Sequence, residues 1–215
     1  MEECIGGFIF VTPAESISHA ELIHLTIHTY NIRDNLIQLR LQEGEWLPFS
    51  SDVAIDELCR AGHGIVETRI AGLHGYVTFE EDVSGYSVIG IKTYRRDWLE
   101  LAFPSVLDLF RMQWIALCEK IKAEFGYFGN FDFQQEIAYR DQEIIVQLLS
   151  YEIDYLVQKA FWLTYLGSPI VSHWNPSNFL HFHRQVEKLA SGAFVLHAGR
   201  GENPVTGDEI DTHTL

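Results

Sequence analysis

Cysteine is scarce and badly placed for bonding. Cys4, Cys59 and Cys118 are odd in number, far apart, and never in a C-x-x-C spacing, which excludes a disulfide frame or a zinc knuckle and suits buried thiols in a reducing compartment. Neither G-x-G-x-x-G nor G-x-x-x-x-G-K-[ST] occurs, so the usual nucleotide cradles are missing. The opening Met-Glu-Glu-Cys-Ile-Gly-Gly has acids where a signal peptide has bases, and its apolar run is short. Long apolar runs are absent too: even Ala160 to Val171 is broken by Gly167, Ser168 and Pro169, well before a bilayer could be crossed. Bases are the rarer charge, with 15 Lys and Arg against 30 Asp and Glu and a formal net charge of −15. Such a field repels phosphate backbones and anionic lipid and attracts cationic surfaces. Nucleic acid and membrane are therefore not expected as partners, a basic protein is, and the cytoplasm is the expected location.

What is present is ample core material, 47% hydrophobic residues in 215, enough for one sizeable domain. Ile5 to Thr12 reads as a buried strand ended by Pro13, and Ala14 to Tyr30 as a helix with Ala20, Ile23, Ile27 and Tyr30 on one face. Leu36 to Leu41 and Trp46 to Phe49 suggest a hairpin; Ser51 or Asp52 caps a short helix that stops at Gly62. Ile65 to Ala71, Tyr76 to Glu80 and Tyr86 to Thr93 are separated by Gly72-Leu73-His74-Gly75 and Asp82-Val83-Ser84-Gly85, the pattern of an antiparallel meander. The second half reads as helical. Val106, Phe110, Trp114, Leu117, Ile121 and Phe125 make one stripe behind Pro104. A second helix is expected from Asp141 to Tyr165, and a last one carries Phe179, Phe182, Val186 and Leu189 before a short strand at Ala193 to His197. The predicted fold is α+β: a mostly antiparallel sheet from the N-terminal half packed against long helices of the C-terminal half. Residues 1–198 form the domain, and 199–215 a flexible acidic tail.

Candidate chemistry is thin. His181 and His183 diverge by about 200° on a helix, so they cannot share a metal there. Glu21, His24 and His28, at i, i+3 and i+7, share one polar face and could in principle hold zinc or iron. The sequence His-Leu-Thr-Ile-His lacks the glutamate of H-E-x-x-H, and a solvated helix face explains the three residues with fewer assumptions. In Gly85-Tyr86-Ser87-Val88-Ile89-Gly90 the second glycine comes one residue late for a nucleophile elbow, and Ser87 falls inside an expected strand. Asp132, Glu136, Asp141 and Glu143 could supply an acid and base pair, but capping and solvation account for them. Tyr94-Arg95-Arg96-Asp97-Trp98 joins two guanidinium groups to two aromatics, a hot-spot composition, so Tyr94, Arg95, Arg96 and Trp98 are the candidate partner-binding residues. Local pairing of Asp97 with either arginine is the bland alternative.

Three stretches carry a resemblance: Lys122-Ala123-Glu124-Phe125-Gly126-Tyr127-Phe128-Gly129 at the end of a helix, Thr164-Tyr165-Leu166-Gly167, and Val186 to Leu196 with its turn into a strand. In this order, behind a β-rich first half, they resemble bacterial polymorphic-toxin immunity proteins. The resemblance implies a non-enzymatic protein that neutralises a toxin by tight binding, with no cofactor and no catalytic residue. The alternative is a metal-dependent enzyme working from the Glu21, His24 and His28 face.

Overall fold

The structure, a computed structural model, describes residues 4–12, 17–41, 51–83, 86–100, 105–130, 162–173 and 185–197. In chain order these form β1 (Cys4–Val11), α1 (His19–Thr29), α2 (Ile32–Asn35), β2 (Gln38–Arg40), α3 (Ser51–Ala61), β3 (Gly64–Ile70), β4 (Leu73–Val83), β5 (Tyr86–Tyr94), α4 (Arg95–Glu100), α5 (Ser105–Lys120), β6 (Phe125–Asn130), β7 (Leu163–Leu166), α6 (Ser168–Ser172), β8 (Gln185–Lys188) and β9 (Phe194–His197). The nine strands make one sheet in the order β2-β3-β4-β5-β1-β6-β7-β9-β8, and every neighbouring pair is antiparallel.

This overturns part of the expected architecture. The sheet is not the property of the first half: β6, β7, β8 and β9 supply nearly half of it, and the described helices beside it are short, α5 being 16 residues long. Most of two expected helices, 141–161 and the part of the last before 185, lies outside the described residues, and what is described at the end of each is a strand. Leu163-Thr164-Tyr165-Leu166 is β7, with all four residues buried, and a run buried on both faces has no alternation by which periodicity could tell it from a buried helix. Gln185–Lys188 is the edge strand β8, where the Val186 and Leu189 spacing imitated a helical stripe. The partner expected for Leu36 to Leu41 at Trp46 to Phe49 lies outside the described residues, and β2 pairs with β3. His181, His183, the carboxylates Asp132, Glu136, Asp141 and Glu143, and the tail 199–215 also lie outside them.

The largest core cluster forms on one face of the sheet because the strand residues alternate, while Phe8, Phe10, Phe125, Tyr127 and Leu166 are buried on the other. Ile5, Ile9 and Val11 of β1 share the first face with Ile89 and Ile91 of β5, Val77 and Phe79 of β4, Phe128 of β6 and Tyr165 of β7. Onto it pack Leu22, Ile23 and Ile27 of α1, Ile55 and Leu58 of α3, and Phe110, Trp114 and Leu117 of α5. Ser18 caps α1, its hydroxyl accepting from the Glu21 N–H, and Gly62 ends the α3 turn at φ 73. Arg111 Nη2 donates to Glu187 Oε2 at 2.5 Å and so ties α5 to the edge strand β8. The β3–β4 hairpin turns through Ala71 and Gly72, both at positive φ, as a two-residue loop requires. That turn is tighter than the sequence suggested. It begins β4 at Leu73, which makes His74 a strand residue.

Candidate functional site

The reverse face of β2 to β5 is polar and half open. Its cross-strand rows are Arg69, His74 and Tyr94; then Gln38, Glu67, Tyr76 and Lys92; then Arg40, Ile65 and Thr78. Register alone brings these residues together. Glu67 is the hinge of the group: His74 Nε2 donates to Glu67 Oε1 at 2.6 Å, and Gln38 Nε2 donates to Glu67 Oε2. The His74 backbone N–H donates to Asp97 Oδ2 at 2.6 Å, which pins the start of α4 to β4. The Tyr76 and Tyr94 hydroxyls are 2.8 Å apart, and the His74 ring centroid lies 5.0 Å from that of Tyr94 and 6.3 Å from that of Tyr76.

The predicted stretch from Tyr94 to Trp98 divides around this cluster. Tyr94 is half-buried within it, Arg95 and Arg96 open α4 at its rim, and the Arg96 side chain is 60% exposed with Nε 3.9 Å from Asp97 Oδ1. Trp98 points the other way. It is 0% exposed, its Nε1 donates to Thr93 Oγ1 at 2.8 Å, and its ring meets Phe110, Phe128 and Trp162 at centroid distances of 5.4, 6.3 and 6.0 Å. Its indole offers no surface to a partner; its place is beneath α4, holding that helix to the core. Glu67, His74 and Tyr76 were missed by sequence reasoning. Strict alternation through Tyr76 and Glu80 would have put His74 on the same face, had the turn been placed at Ala71-Gly72.

The Glu21, His24 and His28 trio is exposed on α1, as its spacing required, but what meets it is a thiol: His24 Nε2 lies 3.5 Å from Cys59 Sγ. Burial and then the Asp56 carboxylate push the Cys59 thiol up against the opposing pull of Arg33, which keeps it protonated and a poor ligand. Among the described residues no three His, Cys, Asp or Glu side chains form a group able to hold a metal.

Ser87 does acquire a histidine. His19 Nε2 donates to the Gly62 carbonyl, which leaves Nδ1 as acceptor for the Ser87 hydroxyl at 3.1 Å. The tautomer is that of a general base. Access is not: Ser87 is 6% exposed and paired to Val11 inside the sheet, so a substrate carbonyl cannot approach its oxygen. In the Glu67–His74 pair, no hydroxyl or thiol is bonded to His74 among the described residues. What the open face presents is an ordered set of aromatic rings and charges.

Comparison with known proteins adds little to this geometry. No protein-family model matches the chain, and no curated protein matches it. A distant structural neighbour is the Pseudomonas aeruginosa T6SS protein PA0821, with 12% identity and a TM-score of 0.48 over 94% of this chain and 69% of that one. No helix among the described residues is long and apolar enough to cross a membrane.

Proposed function

We propose that the chain is a non-catalytic binding protein of the immunity kind, acting in the cytoplasm and neutralising a basic protein toxin by direct contact through the open face of β2 to β5. The observation that carries the reading is the half-exposed Tyr76–Tyr94 pair, packed beside His74 and flanked by the exposed Arg96. Aromatics and guanidinium groups held by a rigid backbone are what binding hot spots are made of, because little side-chain entropy is lost when they are covered. Net charge works at longer range: −15 accelerates encounter with a cationic surface. At contact range the face has the opposite balance. Among the described side chains, Arg40, Arg69 and Lys92, with Arg95 and Arg96 at the rim, outnumber Glu67, Glu80 and Asp97. A partner complementary to it is basic overall and brings carboxylates and rings to this patch.

The test is co-expression with the product of the neighbouring gene. If that product arrests growth, this chain should restore it, and Tyr94→Ala with Arg96→Ala should abolish the rescue while leaving the domain folded. Raising salt should slow association and change dissociation little. Failure of rescue, together with no association between the two purified proteins, would refute the proposal.

A further inference from the structure

The end of α5, the start of α6 and the β8–β9 turn surround a cleft of about 220 Å³. Val11, Ile17, Ile121, Ala123 and Pro169 give it apolar walls, and Glu119 supplies the negative charge. The carboxylate is fixed from one side. Its Oε1 accepts the Tyr165 hydroxyl at 2.6 Å and the Ser191 hydroxyl at 2.8 Å, which fills both lone pairs of that oxygen. Burial, and then the bond to Glu119, hold the Tyr165 phenol far above its usual range, so it remains a donor. Oε2 has no hydrogen-bond partner among the described residues. Position adds to charge. Glu119 sits in the last turn of the 16-residue α5, where the helix dipole places partial negative charge that disfavours a carboxylate and favours a cation.

The geometry points to a cation site at Glu119, and to the lysine side chain of a partner protein as its occupant. A guanidinium pairs most strongly with a carboxylate through two parallel bonds, one to each oxygen, and one of those oxygens is already taken here. A compact ammonium needs Oε2 alone and has further donors for the Ser168 hydroxyl on the cleft wall. The apolar walls suit its methylene stem. The volume also selects: about 220 Å³ is below the roughly 300–1,000 Å³ of ordinary small-molecule sites, and a single extended side chain fits it. Lys122, exposed and at φ 52, is the other charged residue lining the cleft among the described residues, and it weakens binding of a second cation. That the occupant belongs to a protein rests on the binding function proposed above; the cleft's preference for an alkylammonium does not.

The experiment therefore uses the free full-length chain and n-pentylammonium, followed by NMR. Millimolar binding is expected, with 1-pentanol, the neutral isostere, at least about tenfold weaker. Glu119→Gln keeps an acceptor for Tyr165 and Ser191 and turns an amide N–H₂ toward the ligand, so affinity should fall at least about tenfold. Ser168→Trp, at an exposed wall position, should block entry without touching the core, and it keeps the test decisive if Glu119→Gln unfolds. Lys122→Met should tighten binding. Equal binding of pentanol, or undiminished binding in either blocking variant, would overturn the site. Those outcomes leave growth rescue by the intact chain untouched, so the two proposals fail separately.

Discussion

The open face of β2 to β5 and the Glu119 cleft both present charge to solvent, but they are built in opposite ways. On the open face, side chains from adjacent strands are brought into line by register, and the carboxylates are met by donors: Glu67 by Gln38 and His74, and Asp97 by the His74 N–H and Arg96. In the cleft a single carboxylate is gripped through one oxygen, with the other left over. A surface whose carboxylates are already bonded is suited to broad contact, where shape and aromatic rings decide affinity. A half-satisfied carboxylate among apolar walls is suited to one group of one sign.

The sharpest way to break this comparison is to remove what supports the open face from below. Trp98→Ala empties a fully buried ring site under α4 and should cost about 3–5 kcal/mol in denaturant unfolding. A loss below about 1 kcal/mol would mean that the core does not hold α4. Tyr165→Phe removes one of the two donors to Glu119 and should cost about 1.5 kcal/mol, while leaving the Tyr76–Tyr94 pair unchanged by NMR. Glu124 supplies a test with the opposite sign. Burial raises its pKa, hydrogen bonds from Tyr86 and Thr12 only partly offset this, and Oε2 is buried without a partner. Because the folded state holds this proton more tightly than the unfolded chain, its contribution is fully present below the unfolded pKa and is lost as pH rises through the folded one. Glu124→Gln should therefore stabilise by about 1 kcal/mol at neutral pH, and the gain should vanish in acid. Arg96→Ala should be the smallest change, within about 0.5 kcal/mol in stability, since its side chain is largely in water; its effect belongs to partner binding.

The two regions were also unequally legible. The strands behind the open face follow alternation with turn residues between them, so Gly64–Ile70, Leu73–Val83 and Tyr86–Tyr94 stand close to where the sequence puts them. On the open face, Tyr94, Arg95 and Arg96 stand out by composition and their neighbours Glu67 and His74 do not, because a turn placed two residues late hides a strand histidine in a loop. The cleft was invisible. Tyr165 and Ser191 reach Glu119 across 46 and 72 residues, and Tyr165 stood in a segment whose burial on both faces looked helical. Trp98 shows the reverse error: aromatic composition next to arginines suggested a contact surface, and its burial beneath α4 depends on strand pairings that no local pattern encodes.

β1, whose end lines the cleft, pairs with β5 on one side and β6 on the other, so closely that a side chain at Gly7 would run into the Tyr127 backbone. The earliest strand in the chain is thus the middle of the finished sheet. During folding, β3, β4 and β5 can zip together from neighbouring sequence, but the open flank of β5 waits for β1, and the other flank of β1 waits for β6. Until those distant pairings close, two half-sheets coexist with raw edges, and the interval is one in which chains can join to one another instead of to themselves.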